Sequence, residues 1–193
     1  MQDLKTFIEG YVPVSDANWK KISTCFEQKL VIKNESILKE GEICRKLYFL
    51  ESGLLRFYIN KDGNEIIKFF TVAPYFFTSQ ASFNDQKPAS ENIQAIENSV
   101  IWQISLQDSN KLLELQSWST FAKKIIQEVQ FFTEQILEEI QSETAENRYK
   151  KILSDDPVLA KRIPLKYLAS FLGIAPQSLS RIRKNLEKKH NLT

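Results

Sequence analysis

The chain changes period near Gln107. Before it, from about Lys29 to Ile104, short runs rich in β-branched and aromatic residues are separated by turn residues. Three of the five glycines, Gly41, Gly53 and Gly63, punctuate that region. After it, apolar residues recur at the three- and four-residue spacing of helices. A switch of this kind confines the chain to an α+β layout, with strands first and helices after them. Leu47–Leu50 and Leu54–Ile59 flank Gly53 and predict a hairpin. Asp62 and Gly63 predict another turn, because both tolerate positive φ. With Lys29–Leu38, Ile66–Val72, Asn92–Ile96 and Val100–Ile104, these runs predict an antiparallel β-roll, or jelly roll.

The helical part has three sections. Gln107–Leu115 reads as a short helix, and Ser117–Gln141 as a long one without glycine or proline. Ala122, Ile125, Val129, Phe132 and Ile136 repeat along the long helix as a coiled-coil seam does, and Phe121, Ile126, Leu137 and Ile140 widen the stripe. One side of that helix is expected against the roll and the other against a second copy of the chain. A monomer that buries the whole stripe internally satisfies the same pattern. Ala145–Leu153 predicts another short helix, ended by Asp155, Asp156 and Pro157.

The stretch Ile163–Lys184 carries the most specific signal. Leu165, Leu168, Ala169 and Leu172 form one apolar stripe, and Gly173 stops that helix in the left-handed region. Pro176 suits the first turn of the next helix, where its missing N–H costs nothing. Leu179, Ile182 and Leu186 supply the buried side of this second helix. Gln177, Ser178, Ser180, Arg181, Arg183 and Lys184 are left as candidate DNA-binding residues. Arg suits guanine, Gln suits adenine, and Ser suits a base or a phosphate. The pattern is that of a helix-turn-helix, whose second helix lies in the major groove. An amphipathic hairpin with a solvated basic face is the plainer alternative.

Charge is divided unevenly. Residues 143–193 carry 11 Lys/Arg against 5 Asp/Glu, whereas residues 1–142 carry 15 against 19. A basic C-terminal block behind an acidic body fits a nucleic-acid partner. The one histidine, His190, and the two cysteines, Cys25 and Cys44, cannot supply a multi-imidazole or four-thiolate centre. No metal, no cofactor and no enzymatic activity are expected. A cupin-like enzyme on the roll would need several histidines within it. No apolar run approaches the roughly 20 residues of a membrane span, and the N-terminus lacks a signal-peptide core. These features point to the cytoplasm.

Taken together, Leu38–Glu42, Leu47–Arg56, Asp62-Gly63, Asn147–Leu153 and Ile163–Lys184 resemble the Crp/Fnr superfamily of transcriptional regulators. The last of these stretches is especially similar to regulators of the Bacteroidetes lineage. The resemblance covers nearly everything after about residue 20. It implies an effector domain of the cyclic-nucleotide-binding type over residues 1–116, a dimerisation helix over 117–142 and a helix-turn-helix domain over 143–193. It also implies a homodimer on a pseudo-palindromic DNA operator, with RNA polymerase as a further partner. Family members follow the recognition helix with a β-hairpin wing. Here too few residues remain after Leu186 for two strands, so Lys188 and Lys189 are expected to extend the helix and contact phosphates.

The ligand cassette departs from the family pattern. Members that bind cyclic nucleotides carry a Gly-Glu pair and a Pro-Arg-Ser/Thr-Ala step. Here Pro74–Phe83 contains no Gly-Glu, and Ala89 and Ser90 stand where Arg-Ser belongs, followed by Glu91. Cyclic AMP is therefore not expected to bind in the usual way. The residues left as a candidate effector pocket are Phe70, Phe77, Ser79, Gln80, Ala89, Ser90 and Thr133, the last placed by counting back from Arg148. Phe69, Phe70, Tyr75, Phe76, Phe77 and Phe83 suit an unidentified small-molecule effector or serve equally as core. The leading expectation is a dimeric DNA-binding regulator. The alternative is a cyclic-nucleotide-like module that docks on another protein rather than on DNA.

Overall fold

The computed structural model describes residues 1–190, without the side chains of Lys189 and His190. The phosphate contact expected of Lys189 thus lies outside the described residues, as does the imidazole of His190. The chain forms two compact units: residues 1–60 with 68–130, and residues 61–67 with 131–193.

The first unit begins with helices α1 (Gln2–Glu9) and α2 (Asp16–Ser23). Strands β1 (Glu27–Val31), β2 (Ser36–Leu38), β3 (Lys46–Ser52), β4 (Leu54–Lys61), β5 (Asn64–Val72) and β6 (Tyr75–Phe77) follow. Next come α3 (Gln80–Asp85), β7 (Asn92–Ala95), β8 (Ser99–Ser105), α4 (Leu106–Leu112) and the long α5 (Gln116–Ser142). The strands make two antiparallel sheets, ordered β1-β8-β3-β6 and β2-β7-β4-β5. This is the antiparallel roll, followed by a long helix, that the periodicity predicts.

The hairpin expected around Gly53 does not form. β3 pairs with β6 and β8, while β4 lies between β7 and β5 in the other sheet. Gly53, at φ +117°, turns the chain from one sheet into the other. A Cβ there would lie 2.1 Å from Ser99 Oγ and 2.9 Å from Ser99 Cα, so the corner needs glycine for contact as well as for φ. At Asp62 (φ +51°) and Gly63 (φ +76°) the expected β4–β5 hairpin turn does form.

Two apolar clusters meet at β3 and β6. Successive side chains on a strand point to opposite faces. Tyr48 and Phe77 therefore stack inside the roll at 4.9 Å, among Leu50, Leu55, Phe57 and Ile93. Phe49 and Phe76, 5.1 Å apart, face outward and are covered by Leu4, Ile8, Ile22, Trp118 and Phe121. The second cluster also receives a polar fastening. Tyr11 donates to Glu128 at 2.6 Å, Tyr75 donates to its other oxygen at 3.0 Å, and Lys124 donates to the Tyr11 carbonyl at 2.6 Å.

The second unit holds the end of α5, the turn segment 61–67, α6 (Ala145–Asp155), α7 (Pro157–Arg162), α8 (Leu165–Leu172) and α9 (Pro176–His190). Thr144 caps α6 by accepting from Asn147 N–H, and Asp156 caps α7 by accepting from Leu159 N–H at 2.8 Å. Ser170 on α8 closes on the turn segment of the same unit. Its hydroxyl accepts from Ile67 N–H at 3.0 Å and donates to the Glu65 carbonyl at 2.9 Å.

Two outcomes follow from this packing. Gly53→Ala should lower unfolding free energy by about 2–4 kcal/mol in denaturant titration, and an unchanged midpoint would contradict the corner. Burial first, and then the Glu128 carboxylate, raise the Tyr75 phenol above its ordinary value of 10.0. A pKa raised by folding stabilises below the unfolded value and is lost above it. The stability gap between the wild type and Tyr75→Phe should therefore shrink from about pH 9 to about pH 11. A constant gap would show that the phenol titrates alike in both states.

Candidate functional site

The helix-turn-helix is built from α8 and α9, which pack against each other. Leu168, Ala169 and Leu172 are buried on the first helix and Leu179 on the second, with Ile182 and Leu186 partly buried. Gly173 ends α8 in the left-handed region at φ +73°, and its N–H donates to the Ser170 carbonyl at 3.0 Å. Pro176 opens α9. Each of these features stands where the sequence places it.

Opposite the buried side, Gln177, Arg181, Lys184 and Lys188 are all exposed. Their spacing of four, three and four residues aligns them in one stripe along α9. Ser178 is exposed beside the stripe, and Arg183 is partly buried at the flank. Ser180 is exposed, but its hydroxyl donates to the Pro176 carbonyl at 3.0 Å, which leaves only acceptor capacity free. Among the described residues no strand follows α9, which runs on through Lys188.

The candidate effector residues do not share one environment. Phe77 is buried in the roll interior, 4.9 Å from Tyr48 and 6.3 Å from Phe57. Phe70 is partly buried, Ser79 and Ala89 are buried, and Gln80 and Ser90 are exposed. Thr133 is exposed on α5 and belongs to the second unit, whereas the others belong to the first.

The loop between β6 and β7 is fastened to the residues before β3 and to β5 by hydrogen bonds and an ion pair. Ser82 Oγ accepts from Cys44 N–H at 2.9 Å and donates to the Lys87 carbonyl at 2.5 Å. Gln86, at φ +52°, donates to the carbonyls of Cys44 and Phe83. The Ala89 N–H donates to the Glu42 carbonyl and the Ala89 carbonyl accepts from Gly41 N–H, both at 2.8 Å. Glu91 is buried and ion-paired with Lys68. Ser82, Gln86 and Lys68 escape the sequence reading because each works through a partner remote in sequence.

Residues 29–116 match the cyclic nucleotide-binding domain family. That segment has the fold of such a domain. Among solved structures, FixK2 from Bradyrhizobium japonicum is 17% identical with a TM-score of 0.72, over 86% of this chain and 86% of that one. A protein from Eubacterium rectale described as a transcriptional regulator of the Crp/Fnr family is 18% identical (TM-score 0.71), over 93% and 88%. CLP, described as a c-di-GMP-responsive global regulator of Xanthomonas campestris, is 15% identical (TM-score 0.69), over 91% and 93%. The chain thus has the Crp/Fnr fold, with the cyclic nucleotide-binding domain as its roll. No curated protein matches it in sequence. Among the described residues no cluster of ligating side chains could hold a metal, and no helix is long and apolar enough to cross a membrane.

Proposed function

We propose that this chain is a sequence-specific DNA-binding transcription regulator acting as a homodimer, with a cyclic nucleotide-binding domain that does not take cyclic AMP in the usual way. The observation that carries the reading is the exposed stripe Gln177, Arg181, Lys184 and Lys188, backed by fully buried Leu179. An α-helix fits the major groove. There Arg181 and Gln177 would read base edges, with Ser178 beside them, while Lys184, Lys188 and the flanking Arg183 would neutralise phosphates. Ser180 would accept rather than donate. Affinity carried by these cations is steeply salt-dependent.

The long helix supports the dimer. Ile125 packs on the second cluster, while Ile126, Phe132, Leu137 and Ile140 are 47–55% exposed. A helix side with that much apolar surface is covered in a coiled-coil pair. It sets two copies of α9 on one pseudo-palindrome. Thr133 falls within this outward side, seven residues from Ile126 and from Ile140, which gives it a place in the proposed seam.

The loop chemistry supports the restriction on cyclic AMP. A cyclic phosphate needs a cation and free N–H donors. At Ala89 the side chain has no charge and the N–H is engaged by Glu42; at Glu91 a carboxylate already holds Lys68. Phe77 stacked on Tyr48 fills interior space instead of leaving it open. The effector domain then acts without a ligand, or with an effector of other chemistry, and RNA polymerase remains the natural second partner of such a regulator.

Duplex titration by fluorescence anisotropy tests the reading. Arg181→Ala should cost about 1–3 kcal/mol at one base position, and Lys184→Ala should flatten the salt slope by about 0.9. Added cyclic AMP should change neither. No duplex binding at any salt would favour the docking-module alternative, and a cyclic AMP response would overturn the ligand restriction.

A further inference from the structure

We infer that Arg148, on α6, is a positioning residue for the recognition helix, acting through the carbonyl end of α8. The inference rests on the DNA-binding reading of α9. The last turn of a helix leaves carbonyls without intrahelical donors. At the end of α8 the Ala169 carbonyl accepts from Ile174 N–H and the Ser170 carbonyl from Gly173 N–H, each at 3.0 Å. The carbonyl of Leu172 has a different partner, the Nη2 of Arg148. A cation on a helix C-terminus is favoured by the helix dipole as well as by the hydrogen bond.

The guanidinium serves this carbonyl at a loss elsewhere. Its Nε–H is buried and has no hydrogen-bond partner among the described residues. Donors in that condition are disfavoured, so the side chain is held where the α8 terminus requires it. Its base is firm. Tyr149, the next residue, is buried, and the first turn of α6 is capped by Thr144, with Asn147 donating to Glu143 at 2.9 Å.

From Leu172 only Gly173, Ile174 and Ala175 separate the clamped carbonyl from Pro176, where α9 begins. Gly173 in the left-handed region has no side chain of its own to fix the direction of that turn. Arg148 supplies the constraint from outside. It holds the carbonyl one residue before the turn, and so sets the direction in which Gln177 and Arg181 leave the motif. Its reach is spent on Leu172, away from the exposed stripe. It is therefore distinct in kind from Lys184 and Lys188, and its loss should blur sequence discrimination without removing a phosphate contact.

The test compares a duplex enriched from genomic DNA by the full-length protein with a random duplex of the same length. Arg148→Ala should lower the ratio of specific to random affinity about ten-fold. The slope of log affinity against log salt on the random duplex should stay as in the wild type. An unchanged ratio overturns the inference. So does a slope shallower by about 0.9, which would make Arg148 a direct phosphate contact. If Arg148→Ala has lost its helical circular dichroism, Arg148→Lys decides. Keeping the cation and a donor, it should hold the ratio within about three-fold of wild type, and a larger fall overturns the inference. A wild type that cannot tell the two duplexes apart defeats the DNA reading itself, and this inference with it.

Discussion

The fold of the first unit hangs on the antiparallel pairing of β3 with β6, where two adjacent aromatics on each strand meet two on the other. Tyr48 pairs with Phe77 and Phe49 with Phe76. Alternation sends the first pair into the roll and the second out to the helical cover. One strand pair thereby joins the closed interior to the cluster of α1, α2 and the start of α5. A slip of one residue would exchange the two faces and leave both cores mismatched. Glu128 reinforces the outer side with hydrogen bonds from Tyr11 and Tyr75, which lie on different elements.

This constraint bears directly on ligand chemistry. The aromatic residues that the sequence offers as a pocket are divided between two cores by the same alternation. Phe77 belongs to the interior and Phe76 to the cover. The polar groups nearby are likewise engaged: Ser82 and Gln86 fasten the loop, and Lys68 and Glu91 neutralise each other. The roll keeps the architecture of a cyclic nucleotide-binding domain, but its polar groups are turned inward onto the protein. The basic helices behave oppositely. On α9 the cations Arg181, Lys184 and Lys188 stand in one exposed stripe, which gives that side of the helix a positive potential.

Much of this was legible in the residues. The change of period near Gln107, the turn at Asp62-Gly63, the uninterrupted run of α5 and the stop–start at Gly173 and Pro176 each rest on local backbone physics. The corner at Gly53 was not, because glycine at positive φ serves a hairpin and a sheet-to-sheet turn alike; the decision comes from Ser99, which is remote in sequence. Helices α1 and α2 are absent from the expectations, because the spacing of Leu4, Phe7 and Ile8 is a weak helical signal over so short a span. Of the site, the outward face of α9 follows from periodicity alone. The engagement of Lys68 with Glu91 and of Arg148 with Leu172 does not, since ion pairs and caps between distant segments leave no spacing to read.

The measurement that bears most directly on the central claim is selection of bound fragments from the organism's own genomic DNA, by purified protein at near-physiological salt and without added ligand. The account predicts recovery of a two-fold-symmetric motif with half-sites about one helical turn apart. Fragments that share no motif and dissociate with modest salt would contradict a dimeric regulator reading DNA through α9 without a ligand, and recovery of nothing would move the account to an effector that must be added or to a partner other than DNA.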